Sequence, residues 1–287
     1  MFTIFGATGN TGSFIANHLL DQGKRVRAVV HDPKKAEALR ARGAELVTGD
    51  VTDRATVVAA LAGAEGAYLL CPPDNTSQDL IARGRKIIDN YVAGLTAHRV
   101  PHAVLLSSVG AQAPSGTGPI VMLHYAETAL PAATATKLTI LRAAYFMENI
   151  LANAWPMKQD GVLPVFGGGE GYPFPMVATR DVAETAAAAL LAPPAQTQWI
   201  ELQGPQPYSF NDAAAEASKI LGKTVKATAM PIDAMVPTLT QFGITANVAG
   251  LYREMTEAFG KGLGFEGKGR ALKGKVTLAE VLRAGLA

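Results

Sequence analysis

The chain opens Phe2-Thr3-Ile4-Phe5-Gly6-Ala7-Thr8-Gly9-Asn10-Thr11-Gly12, a short apolar run passing directly into three glycines spaced three apart. This order lets a polypeptide present backbone N–H groups to a pyrophosphate. Gly6 allows a tight turn out of the strand, Gly9 lets the backbone approach phosphates with no Cβ in the way, and Gly12 lets the next helix sit against the sheet. Ile15, Ala16, Leu19 and Leu20 follow at helical spacing, and the N-terminus of that helix adds partial positive charge and free donors. A glycine-rich turn alone is a weak signal, but a strand before it and a helix after it make it specific. Gly6, Thr8, Gly9, Asn10, Thr11 and Gly12 are therefore the expected cofactor loop.

Working outward, strand-like and helix-like runs alternate. Phe2–Phe5, Val26–Val30, Glu45–Val47, Gly66–Leu70, Ala103–Ser107 and Leu138–Leu141 read as short strands. Pro33–Ala41, Arg54–Leu61 and Ser77–Ala97 read as helices, with Gly23, Gly43 and Gly63 where helix ends are expected. The alternation implies an α/β fold with a parallel, doubly wound sheet, whose ligand lies at the carboxyl ends of the strands. The second half changes character. Gly161–Pro175 is rich in Gly, Pro and aromatics, Thr179–Leu191 and Ser209–Leu221 read as helices, and Ser209-x-x-Asp212 and Thr277-x-x-Glu280 are helix-start signals. Gly260–Lys275 reads as a basic surface loop. The expected division is a nucleotide-binding domain over 1–155, to whose sheet later segments return, and a smaller substrate-side lobe over 156–287.

Composition narrows the class of function. The 287 residues are enough for a proper core, and a net charge of +2 gives no field that would recruit nucleic acid. The single Cys71 excludes an intrachain disulfide and suits a reducing compartment. No unbroken apolar run is long enough to span a bilayer, and a strand beginning at residue 2 leaves no room for a signal peptide. The expected setting is cytoplasmic, the expected partner a small molecule, with a homodimer allowed and neither nucleic acid nor a membrane involved.

Residues just beyond each strand then define the site. Val30-His31-Asp32-Pro33-Lys34-Lys35 ends the second strand, where a carboxylate would hold a ribose 2′-hydroxyl and a cation a 2′-phosphate. His31 and Lys35 favour NADP(H) over NAD(H); Asp32 is either a ribose ligand or a turn residue before Pro33. Asp50 and Val51 follow the third strand, with Asp50 either near the adenine or serving as a helix cap. Cys71 and Pro72 follow the fourth, and the thiol reads as a small apolar neighbour of the cofactor because no His partners it. Ser107 and Ser108 end the fifth, placing hydroxyls at the nicotinamide or substrate.

With these residues in view, the chain resembles the NmrA-like branch of the atypical short-chain dehydrogenase/reductase family. The resemblance runs through Gly6–Gly12, Leu106-Ser107-Ser108-Val109-Gly110-Ala111, Ile140–Asn149, Asp181-Val182-Ala183 and Leu202-Gln203-Gly204-Pro205, in family order over nearly the whole chain. It implies a Rossmann-type sheet and bound NADP(H) or NAD(H). The branch includes quinone and azo-dye reductases alongside non-catalytic redox sensors, and both readings stay open; an isomerase or dehydratase with a tightly held cofactor is a third.

One departure bears on chemistry. Short-chain dehydrogenases use Tyr-x-x-x-Lys, the Lys lowering the tyrosine pKa, and none of the seven tyrosines here is followed by Lys at that spacing; Tyr125 meets Ala129 and Tyr145 meets Asn149. His124 and Tyr145 are the catalytic candidates instead. An imidazole exchanges protons near neutral pH, and Glu127 stands one helical turn from His124; a half-exposed helix histidine with no chemical role is the alternative. Tyr145, Phe146, Asn149, Phe174 and Met176 are the expected acceptor pocket, with Phe146 and Met147 also readable as core. No metal is expected, because no ligand cluster accompanies His124.

Overall fold

The computed structural model describes all 287 residues. The first half builds β1 (Phe2–Phe5), α1 (Asn10–Asp21), β2 (Val26–Val30), α2 (Glu37–Ala41), β3 (Glu45–Thr48), α3 (Arg54–Leu61), β4 (Gly66–Leu69), α4 (Leu80–His98), β5 (His102–Ser108), α5 (Val121–Ala133) and β6 (Lys137–Ala143). The second half adds β7 (Tyr145–Phe146), α6 (Ala154–Asp160), β8 (Val162–Phe166), β9 (Phe174–Val177), α7 (Thr179–Leu191), β10 (Gln198–Gln203) and β11 (Pro207–Tyr208). The chain finishes with α8 (Phe210–Leu221), β12 (Lys226–Met230), α9 (Met235–Gln241), α10 (Ala246–Gly260), β13 (Arg270–Lys273) and α11 (Leu278–Leu286).

Eight strands form one parallel sheet in the order β13-β10-β6-β5-β4-β1-β2-β3. This is the doubly wound arrangement expected from the sequence, with its switch point between β1 and β4. Side chains alternate across the strands, so each face has its own core. Ile4, Ala28, Val104 and Leu141 pack against Ile15 and Leu19 of α1 and Val182, Ala186 and Leu190 of α7. Phe5, Val29, Leu105 and Ile140 pack against Leu61 of α3, Ile88, Tyr91 and Leu95 of α4 and Leu130 of α5.

Three expectations need correction. The stretch 260–275 is not all surface loop: Arg270–Lys273 pairs with β10 as the edge of the sheet. Its basic ends and exposed positions hide it from a hydrophobicity reading, as is usual where charge protects an edge strand. The helix expected from Ser77 begins at Leu80, because the Asp79 side chain accepts from the Ala82 amide and fixes the start there. Pro33–Ala36 forms a 3₁₀ turn rather than the first turn of a longer helix.

A third, smaller core lies beyond the carboxyl ends of the strands. Met147, Ile150, Met157, Leu163, Met176 and Tyr208 pack with Ala213 and Ala217 of α8 and Leu278 and Leu282 of α11. Both helices start with the expected capping boxes, Ser209 with Asp212 and Thr277 with Glu280. α10 packs across the turn Gly118–Ile120, where a Cβ on Gly118 would stand 2.0 Å from the Leu251 carbonyl oxygen.

At the opposite end of the sheet, His102 opens β5 with 2 % of its surface exposed. Burial pushes its imidazole down from 6.5 to about 4. Between those two values the unfolded chain binds a proton that the folded chain refuses, so the contribution is complete above 6.5 and is lost as pH falls toward 4. The loss reaches about 3 kcal/mol. Thermal unfolding of the protein and of His102→Leu across that window is the check: the variant is expected to lose much less stability on acidification, and parallel curves would remove His102 as the cause.

Candidate active site

The turn from β1 into α1 has almost no room for side chains. Gly6 sits at φ +63°, and a Cβ on Gly12 would lie 2.3 Å from the Gly6 carbonyl oxygen and 3.1 Å from the Ala7 Cα. Gly9 begins α1 in an extended conformation with no side-chain cap, so the first-turn amides of the helix have no side-chain acceptor. Thr8 and Asn10 are exposed on this turn. Thr11 is turned inward, where its hydroxyl accepts from the buried Tyr68 hydroxyl at 2.9 Å, and burial holds that phenol well above its ordinary pKa. Thr11 therefore offers the loop its backbone rather than its side chain.

At the end of β2, His31, Lys34 and Lys35 are exposed, and neither lysine joins an ion pair. Asp32 caps the following turn, its Oδ1 accepting from the Lys34 amide at 3.0 Å. At the end of β3, Asp50 Oδ1 accepts from the Thr52 amide at 2.7 Å. That bond, with the charges of Arg83 and His31, holds the carboxyl below its usual range against partial burial. Val51 is buried, and its carbonyl accepts from Asn90 Nδ2 at 3.0 Å. Beyond β4, burial pushes the half-buried Cys71 thiol up to about 12, so it is no nucleophile at neutral pH. Pro72 lies beside it, half-buried.

The end of β5 is organised by a buried ion pair that sequence reasoning missed. Ser107 donates to Glu127 Oε1 at 2.6 Å, Arg142 Nη2 donates to Glu127 Oε2 at 2.6 Å, and Trp199 Nε1 donates to the same oxygen at 3.1 Å. Arg142 reaches Glu266 at 3.1 Å as well. Burial opposes its charge, but the hydrogen bonds and charges of Glu127 and Glu266 outweigh that and raise its pKa. The available signal was a lone arginine inside the apolar strand Ile140-Leu141-Arg142-Ala143. Glu127 is one turn from His124, yet its carboxylate is taken up by Arg142, Ser107 and Trp199. His124, half-buried, instead uses Nδ1 to donate to the Ala111 carbonyl at 2.9 Å, since a carbonyl only accepts. Ser108 donates to the Val109 carbonyl at 2.9 Å.

Beyond β6, Tyr145 meets the edges of Phe174 and Phe210, with ring centroids 5.5 and 6.2 Å away. Burial outweighs its hydrogen bond to Asn149 and pushes the phenol up to about 12. Phe210, just inside α8, was not among the expected pocket residues. Asn149 is exposed, Phe146 packs on the sheet core, and Met176 is fully buried in the lobe core with Met147. Glu148 ties this segment to α7, accepting from the Thr179 amide at 2.8 Å and its hydroxyl at 2.6 Å. α10 supplies a wall that no motif announced. Thr245 and Tyr252 hydrogen-bond the 75–77 loop, and Thr256 lies beside Gly167.

A parallel doubly wound sheet whose first turn is lined by glycine and left uncapped defines a dinucleotide-binding protein of the Rossmann class. The NmrA-like family pattern matches residues 1–277, and the chain belongs to that family. Among its relatives, an NAD(P)H azoreductase of Xenophilus azovorans is 27% identical over 259 residues, covering 89% of this chain and 86% of the relative. Quinone oxidoreductase 2 of Escherichia coli is 28% identical, covering 78% and 76%. The solved structure of an NADPH-dependent quinone oxidoreductase from E. coli, complexed with NADPH, superposes with a TM-score of 0.80 at 24% identity over 99% of both chains. That likeness establishes the fold.

Proposed function

We propose that the protein is an NADPH-dependent reductase that passes two electrons to a planar, conjugated small molecule such as a quinone or an azo compound. The observation that carries this reading is the cradle at Gly6–Gly12, where a Cβ on Gly12 would strike the Gly6 carbonyl and no side chain caps α1. The azoreductase and quinone oxidoreductase relatives give it a chemical direction. When bound, the reduced nicotinamide supplies a hydride.

The chain's own residues do the rest. First-turn amides of α1 hold the pyrophosphate. His31, Lys34 and Lys35 favour a 2′-phosphate, while one oxygen of Asp32 accepts from the Lys34 amide. Asp50, kept ionised, accepts from the amine of the adenine. Tyr145, Phe174 and Phe210 give a planar acceptor an aromatic wall. The acceptor gains the hydride and one proton, the latter from water or from Nε2 of the imidazolium form of His124, which returns to the neutral ring with its Nδ1–H still on the Ala111 carbonyl. The commitment of Ser107 to Glu127 and of Ser108 to its neighbour's carbonyl favours a second reading, a cofactor-binding sensor without turnover.

NADPH consumption in the presence of a panel of quinones and azo dyes decides between them. Turnover is expected, with NADPH preferred to NADH; tight coenzyme binding with no acceptor consumed assigns the chain to the sensor reading. His31→Asp is expected to raise KM for NADPH about tenfold, the scale of one charge-assisted contact, and to affect NADH little. Equal effects on the two coenzymes would place the 2′-phosphate elsewhere. Turnover of His124→Ala that matches the parent at every pH removes the histidine from proton delivery.

A further inference from the structure

Between the connection that follows β4 and the start of α4 lies an ion pair that neither the phosphate cradle nor the aromatic wall uses. Arg83, one turn into α4, has its side chain 20% exposed and places Nε 3.0 Å from Asp74 Oδ2. Asp74 is fixed in turn, accepting from the Thr76 amide at 3.0 Å and hydroxyl at 2.8 Å. The Arg83 charge is also felt at Asp50, beyond β3, and at Cys71, beyond β4; His31, beyond β2, acts on Asp50 as well. Seven residues further along the same face of α4, Asn90 donates to the carbonyl of Val51, the neighbour of Asp50, at 3.0 Å, which sets this face of the helix beside the end of β3.

Helix stability does not account for Arg83. A cation in the first turn of a helix faces the positive end of its dipole and is disfavoured there. In a doubly wound sheet the halves of a dinucleotide lie on either side of the switch point, here between β1 and β4. The ends of β2 and β3 belong to the half away from β5 and β6, where the purine goes. A guanidinium is planar, weakly hydrated and stacks on aromatic faces, and Asp74 holds this one by its Nε.

Resting on the dinucleotide-binding reading above, we propose that Arg83 is a cofactor-positioning residue that forms a wall of the purine pocket, its guanidinium plane set against the base and latched by Asp74. The group it recognises is common to NADPH and NADH, which separates its role from that of His31.

Steady-state kinetics of Arg83→Gln with NADPH, NADH and reduced nicotinamide mononucleotide, which has no purine, tests this. Kd for NADPH and NADH by calorimetric titration, and KM with it, is expected to rise by the same factor, about tenfold, while activity with the mononucleotide does not follow. An effect on NADPH alone would make Arg83 a 2′-phosphate ligand, a parallel fall with the mononucleotide would make it merely structural, and unchanged KM values would leave it no role; each overturns the proposal. Should Arg83→Gln fold poorly by thermal unfolding, Arg83→Lys keeps the charge and loses the plane, and the same equal, several-fold rise is expected. Failure of the parent protein to bind either dinucleotide would instead sink the dinucleotide reading itself, and failure to prefer NADPH would sink only the 2′-phosphate assignment.

Discussion

Replacing Gly12 by Ala is expected to lower both thermal stability and coenzyme affinity, while replacing Gly9 by Ala lowers affinity alone. The difference follows from what each new Cβ would meet. At Gly12 it would stand 2.3 Å from the Gly6 oxygen, 2.8 Å from the Gly6 carbonyl carbon and 3.1 Å from the Ala7 Cα, all backbone, so α1 has to move away from β1. Overpacking of this kind costs about 1–3 kcal/mol. It also displaces the first-turn amides, each a charge-assisted donor worth about 1.5–3 kcal/mol, so coenzyme affinity falls about a hundredfold or more. At Gly9 the nearest atom is the Gly6 oxygen at 3.3 Å, and the backbone, at φ −87° and ψ 174°, suits any residue. The methyl group there occupies space a phosphate needs and disturbs little else. Calorimetric titration of NADPH paired with thermal unfolding separates the two; a Gly12→Ala protein that binds NADPH like the parent would remove the cradle from the site.

The residues at that turn were legible because two periodicities meet there, strand then helix, with glycine at the junction. The same logic placed β2 to β6 within a residue or two. It failed at β13, where four residues with charged ends carry no alternation to read, and where the pairing partner, β10, lies some distance earlier in the chain. Spacing also misled on α5. Three positions apart on a helix puts His124 and Glu127 side by side, but the carboxylate answers to Arg142 on β6 and Trp199 on β10, contacts that only the folded sheet creates. Met176 was an expected pocket residue because it sits in an aromatic-rich stretch. Position along β9 turns it into the lobe core instead, beside Met147, Ala178 and Tyr208. Phe210 and Arg83 are the converse, ordinary in sequence and distinctive only once α8 and α4 bring them to the ends of the strands.

A large loss of stability is expected on substituting Glu127. Its side chain is 5% exposed, that of Arg142 is 6%, and each carboxylate oxygen accepts at least two hydrogen bonds. Glu127→Ala leaves the guanidinium buried with Glu266 at 3.1 Å and Glu201 at 3.9 Å, and strands the Ser107 hydroxyl and the Trp199 N–H without acceptors. Breaking one side of a buried pair costs about 3–5 kcal/mol, which lowers the midpoint of thermal unfolding by about 10 °C. Glu127→Gln keeps the volume but turns an amide NH₂ toward groups that are themselves donors, so it is expected to recover less than half of the loss. The double substitution Glu127→Met, Arg142→Met tests the cause. If the damage is the loss of hydrogen-bond partners for the buried guanidinium, whose charge Glu266 and Glu201 still face, the double variant is more stable than Glu127→Ala; it does not regain the parent's stability, because Glu201 and Glu266 then lose their cation. A double variant no better than the single one would mean that the cavity, not the guanidinium, sets the cost. Since Ser107 is the second-last residue of β5 and Glu266 anchors the 261–269 segment against Arg142, loosening this cluster also unsettles the end of β5, where the proposed cofactor site lies. Glu127→Gln is therefore expected to lower kcat with saturating NADPH as well as stability, whereas an unchanged kcat would confine the cluster to holding the fold.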